Sequence, residues 1–190
     1  LELEAGRPRI VGIVNVTPDS FSDGGRFLDA DLAVEQALLL LEQGADLVDL
    51  GAESTRPGGG VYGEGAREVS VEEELARLLP VITRLRPLTG APISVDTRKA
   101  AVARAALEAG ADLINDVSAL ADPGMAGVVA EAGCPVVLMH SRGELATMQR
   151  QISYVDVISG VRAELAALRR REVDAGVADG RLLLDRGLGF

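Results

Sequence analysis

Lysine, cysteine and histidine are nearly missing from this sequence: Lys99, Cys134 and His140 are the sole representatives of their kinds. A single cysteine cannot close an internal disulfide, so the expected setting is reducing and cytoplasmic. Cys134 stands between Gly133 and Pro135-Val136-Val137 and reads as a small side chain entering a buried strand. Every basic residue other than Lys99 is arginine, which carries no message about activity. Positive charge is also scarce, with 19 basic against 29 acidic residues and a formal charge of −10. A general nucleic-acid binder would carry a basic surface, so no nucleic-acid partner is expected. A few local arginines or a metal would still allow an anionic substrate. Residues 1–9 show no basic-then-apolar leader and no apolar run approaches the roughly 18 residues of a membrane span, so no membrane association is expected. There is no P-loop and no GxGxxG string, so nucleotide-binding templates do not apply. What remains is an ordinary globular balance, 47% hydrophobic and 25% charged, in 190 residues. A complete (β/α)8 barrel usually takes about 250 residues.

Short β-type apolar runs alternate with helical stretches. The strand candidates are 10–16, 46–52, 92–96, 112–117, 135–140 and 181–185, mostly continuous Val/Ile/Leu runs as in parallel strands covered on both faces. Helices are expected over 33–43, 99–109, 126–132 and 155–175, each stopped by a glycine: Gly44, Gly110, Gly133 and Gly176. Ser70 to Glu73 reads as a capping box, with Leu75, Leu78, Leu79, Ile82 and Leu85 following at helical spacing. Gly-Ala-Asp recurs before an apolar run at residues 44–46 and 110–112, the mark of one βα unit repeated through a single domain.

The order βαβα fits either an open doubly wound sheet or a barrel. Polar residues end strand after strand: Asn15, Asp49 and Glu53, Asp96, Asn115 with Asp116, His140, and Asp185. Any one of them is explained as a cap of the helix that follows. All of them together, at the strand ends that a parallel fold gathers on one face, predict a site there. Two long polar segments, 15–25 and 53–60, suit mobile loops over such a site.

The strings NVTPDSFSDGG, ESTRPG, SVDTRK, IND, MHSRG with TMQ, and LLLD followed by G-x-GF stand in this order from residue 10 to 190. This pattern closely resembles dihydropteroate synthase. The resemblance implies a TIM barrel, of which six βα units fall within residues 1–190 and the last two of the family's units do not. It implies condensation of 6-hydroxymethyl-7,8-dihydropterin diphosphate with p-aminobenzoate to 7,8-dihydropteroate, with release of diphosphate, in folate biosynthesis. Sulfonamides resemble the second substrate and take its place. A homodimer is expected on the same ground.

Carried over residue by residue, the resemblance assigns Asp96, Asn115 and Asp185 to the pterin edge, with Val117 and Met139 as apolar contacts to the ring. Asn15 matches the Mg2+-associated asparagine, where an amide oxygen joins diphosphate oxygens and water around a hard cation. Arg56 is placed to stabilise departing diphosphate. Thr55, Pro57 and Phe21 border p-aminobenzoate, and Asp19 is the anion that offsets positive charge developing at the pterin methylene. His140 reads more readily as a hydrogen-bonded scaffold residue than as a general base, and Arg169 to Arg171 as a solvated helix face. Two departures stand out: Arg186 replaces the usual proline after Asp185, where it would be able to pair with that carboxylate, and Ser141 replaces a methionine. Two other functions share parts of the pattern: a pterin-binding methyltransferase domain, whose methyl donor carries no diphosphate, and a non-catalytic barrel acting as a binding module.

Overall fold

In the computed structural model, residues 7–17, 26–53, 69–142 and 154–188 are described. Among the described residues six strands and five α-helices alternate: β1 (Val11–Asn15), α1 (Arg26–Glu42), β2 (Leu47–Gly51), α2 (Val71–Leu85), β3 (Ile93–Asp96), α3 (Ala100–Glu108), β4 (Leu113–Asp116), α4 (Met125–Ala132), β5 (Val136–Met139), α5 (Val157–Asp174) and β6 (Leu182–Asp185). All neighbouring strands pair in parallel, and their spatial order is their chain order. A doubly wound sheet would reverse direction at a switch point. This sheet never does: five consecutive βα units and a sixth strand follow one another as part of a TIM barrel, the fold the family resemblance led us to expect.

The apolar runs are continuous where both faces are covered. In β2 every residue is buried, whereas β1, at one edge of the described sheet, alternates exposed and buried positions. The main core lies between sheet and helices, where Val14, Val48, Leu50, Val95, Ile114 and Leu138 meet Ala37, Leu78, Ile82, Val102, Ala106 and Val128. The opposite side chains face the barrel interior.

The helix stops repeat one local design. Gly44, Gly110 and Gly176 have φ of 105°, 111° and 100°, a left-handed conformation that glycine adopts without steric cost. Each glycine N–H, and the N–H that follows it, turns back to carbonyls of the last helical turn at 3.0–3.1 Å, as in Ala45 to Leu40, Ala111 to Ala106 and Val177 to Glu172. The aspartate of Gly-Ala-Asp then ties one strand start to the next. Asp46 Oδ2 accepts the Ile10 N–H at 2.9 Å, and Asp112 Oδ2 accepts the Ile93 N–H at 2.8 Å. Thus the repeated tripeptide sets strand order as well as helix length.

Two details differ from the sequence reading. Helix α1 begins at Arg26, a full two turns before residue 33, because acidic positions 29 and 31 interrupt the apolar pattern without interrupting the helix. At Ser70 the hydroxyl accepts the Glu73 N–H at 3.2 Å, but the Glu73 carboxylate turns to Arg77 rather than back to the cap. Only half of the expected box therefore forms.

Candidate functional site

The C-terminal ends of β1 to β4 place one residue each in a single row: Asn15 opposes Gly51, Gly51 opposes Asp96, and Asp96 opposes Asn115. Glycine in this row opens space between polar neighbours. A Cβ at position 51 would stand 3.6 Å from the Asp96 Cβ and 3.9 Å from Asn15 Oδ1. Two residues earlier on β2, and so on the same face of the pleat, Asp49 accepts a 2.9 Å hydrogen bond from Asn115 Nδ2 across the width of β3. The sequence-predicted Asp96 and Asn115 are therefore brought together, with Asn15 beside them and Asp49 beneath.

This cluster is short of donors. Among the described residues, Oδ1 of Asp49 and Oδ1 of Asp96 are buried with no hydrogen-bond partner. Burial pushes the Asp96 carboxyl well above its ordinary range, and the charges of Asp49, Asp116, Glu74 and Glu53 push it further. Burial also raises Asp49, partly offset by hydrogen bonds from Ser94 and Asn115. Folded proteins rarely leave buried carboxylate oxygens unpaired. An acceptor-rich, donor-poor wall is built for a ligand that brings the donors.

On the far side of the arc, Met139 opposes Asp185. Met139 and Val117 are buried but stand outside the main core cluster, which favours an interior-lining role over a core role. Asp185 is exposed and its Oδ1 accepts the Gly187 N–H at 3.0 Å. Among the described residues Asp185 forms no ion pair with Arg186, so this departure from the family pattern leaves the carboxylate available. Gly187, at φ 66°, is forced: a Cβ would come within 2.4 Å of the His140 carbonyl oxygen.

Other strand-end groups prove structural, which corrects the expectation that all of them converge. Asp116 follows Asn115 directly and must face the other side of the sheet. Its carboxylate accepts from the Ser118 N–H at 2.7 Å, the Ser118 hydroxyl at 2.6 Å and the Leu120 N–H at 3.1 Å, bracing a loop in which Ala119 and Leu120 have φ of 55° and 56°. His140 Nε2 lies 2.7 Å from Glu164 Oε2 on α5, as a scaffold histidine would. With Arg142 also bound to it, Glu164 is held down to about 2. Arg171, expected in solvent, donates to Glu172 and to the Ala119 carbonyl.

Glu53 anchors a network that the sequence did not reveal. It accepts from Arg98 at 2.8 Å and Lys99 at 2.7 Å, and Lys99 also reaches the fully buried Glu74 at 2.6 Å. Burial opposes ionisation of Glu53, but the Lys99 and Arg98 contacts outweigh it and hold the carboxyl below its usual range. The same carboxylate accepts the Val69 N–H at 3.3 Å, so it joins the residues on either side of segment 54–68. The one signal available beforehand was Lys99 itself, the only lysine, in SVDTRK.

Asp19, Phe21, Thr55, Arg56 and Pro57 lie outside the described residues. Among the described residues no group of three His, Cys, Asp or Glu side chains could hold a metal ion, and no helix is long and apolar enough to cross a membrane.

The family of pterin-binding enzymes matches residues 11–190. The dihydropteroate synthase of Escherichia coli K12 is 45% identical over 188 residues, covering 99% of this chain and 64% of that one. The crystal structure of Xanthomonas albilineans dihydropteroate synthase with 4-aminobenzoic acid superposes with a TM-score of 0.85 at 50% identity, over 97% of this chain and 63% of that one. That of the Yersinia pestis enzyme with a sulfonamide drug gives 0.88 at 45% identity, over 100% and 66%. The chain thus spans less than two thirds of the length of these relatives. On the match over 11–190, supported by the carboxylate and amide row at the strand ends, the chain belongs to the family of pterin-binding enzymes.

Proposed function

We propose that this protein is a dihydropteroate synthase, joining 6-hydroxymethyl-7,8-dihydropterin diphosphate to p-aminobenzoate and releasing diphosphate. The observation that carries this reading is the acceptor wall of Asp96, Asn115 and Asp49, with two buried carboxylate oxygens left unpaired. A pterin presents ring N–H and amino donors along one edge, which is the complement such a wall lacks. The relatives named above support the rest, since one holds 4-aminobenzoic acid and another a sulfonamide. Residues 1–190 form one pterin-binding domain, the first six units of an eight-unit barrel, in a cytoplasmic homodimer.

In this reading Asp96, Asn115 and Asp185 bind the pterin edge while Val117 and Met139 pack against the ring. Thr55, Pro57 and Phe21 border p-aminobenzoate. The bond between the exocyclic methylene carbon and the diphosphate oxygen breaks first, and diphosphate departs with the electron pair. Arg56 compensates its charge, and Asp19 offsets the positive charge that the pterin delocalises. The aniline nitrogen then forms the new C–N bond and loses a proton to solvent. Asn15, an exposed residue at the end of β1, fits a Mg2+ site of the kind completed by substrate: its amide oxygen borders the space over Gly51 that Asp96 also borders, and among the described residues there is no carboxylate cage. When bound there, Mg2+ supplies countercharge to the diphosphate.

The test is incubation with pterin diphosphate, p-aminobenzoate and Mg2+, following both diphosphate and dihydropteroate. Formation of dihydropteroate that requires p-aminobenzoate supports the synthase. Pterin binding without turnover points to a non-catalytic module, and methyl transfer to a methyltransferase.

A further inference from the structure

Asp49 has no part in the assignment above beyond its place in the wall, yet it governs what the wall can recognise. An asparagine amide offers a donor at one end and an acceptor at the other, and the two ends exchange by a half-turn of the side chain. Asn15 and Asn115 are the members of the row with that ambiguity, and Asn115 is the one whose amide Asp49 holds. Its Nδ2 lies 2.9 Å from Asp49 Oδ2, although the two residues are 66 positions apart and β3 runs between their strands. Whenever Asp49 is ionised it accepts and cannot donate, so it tolerates only the NH2 end. The Asn115 amide is then held in one sense, and its Oδ1 is left for whatever enters the site.

Three features make this more than a convenient packing contact. Gly51, two residues beyond Asp49 on the same face, keeps the space above it clear. Asp49 itself is 7% exposed and retains a buried oxygen, Oδ1, that nothing described satisfies. Ser94 is its register partner on β3, where its hydroxyl favours the charged form of the carboxylate. A residue serving stability alone would gain nothing from a half-satisfied buried carboxylate, which is costly to desolvate.

We propose that Asp49 is a positioning residue that locks the Asn115 amide with its oxygen toward the ligand, so that position 115 accepts from an amino or ring N–H donor of the heterocycle. The proposal rests on the pterin-binding reading and deepens it. It predicts discrimination against an otherwise equal ring in which one donor is missing, because the acceptor facing the gap would be buried unpaired.

The experiment compares two ligands by calorimetric titration, 6-hydroxymethylpterin and its 2-desamino counterpart, against the wild-type protein and Asp49→Asn. In the wild type the pterin should bind roughly tenfold or more tightly than the desamino ring. In Asp49→Asn the amide is released, and the ratio should fall to within about threefold through loss of pterin affinity. In turnover the same variant should raise KM for the pterin substrate while leaving KM for p-aminobenzoate unchanged, a split that a general loosening would not produce. Far-UV circular dichroism verifies that the variant is folded; if it is not, Asp49→Ser, which removes the constraint with a smaller side chain, takes its place. A folded variant that keeps the wild-type ratio overturns the role of Asp49 and leaves the pterin reading intact. A wild type that binds neither ring overturns the reading itself, and the positioning role with it.

Discussion

Asp96 carries the sharpest conflict between stability and binding in the molecule. Its carboxyl is pushed up by burial and by four neighbouring carboxylates, so ionising it in the unliganded fold is unfavourable. The sign follows from linkage. Below the unfolded pKa the group is protonated in both states and nothing is lost; as pH rises through the elevated folded value, stability is lost. Asp96→Asn removes this titration, and unfolding in urea should show the variant more stable than wild type by about 1–2 kcal/mol at pH 8, with the gap closing toward pH 4. A constant gap across that range would place the elevated ionisation elsewhere. The residue scale is also where the sequence was only partly readable. Asn15, Asp96, Asn115 and Asp185 stood out as polar groups that hydrocarbon would not tolerate. Which member of Asn115-Asp116 faces the interior depends on the register of β4, and the backbone bonds that claim Asp116 arise from a strained loop that no local signal announces.

Between elements, the decisive contacts are charged. Lys99 at the end of β3 reaches Glu53 at the end of β2 and Glu74 in the first turn of α2, and both carboxylates are almost wholly buried. Removing the cation leaves two buried negative charges with one partner, Arg98, which touches only Glu53. Lys99→Met should therefore destabilise the fold by about 3–5 kcal/mol, measured by urea unfolding. A change below about 1 kcal/mol would show that solvent reaches the cluster and screens it. At this scale the sequence was legible wherever structure is local. Glycine stops, the Ser70 cap and the strand runs lie within a few residues of their causes. The Glu53–Lys99–Glu74 network joins positions 46 and 25 residues apart, and only the pairing of β2 with β3 and the packing of α2 beside them bring them together.

At the scale of the fold, the parallel strands in chain order put the C-terminal ends of all six described strands at one end of the sheet, Asn15 and Asp185 among them. The repeated βα order was readable because Gly-Ala-Asp units mark both the helix stop and the link to the neighbouring strand, whereas the barrel class came from the family resemblance, since the same order also fits a doubly wound sheet. The fold delivers an interior wall that accepts hydrogen bonds and lacks donors, and the account stands on the claim that a pterin supplies them. The most direct test is calorimetric titration of the protein with 6-hydroxymethyl-7,8-dihydropterin, wild type beside Asp96→Asn. The account predicts a saturable binding heat in the wild type and an affinity about tenfold or more weaker in the variant, as expected for the loss of a charge-assisted hydrogen bond. Equal affinity in the two proteins, or no binding by the wild type, would contradict it.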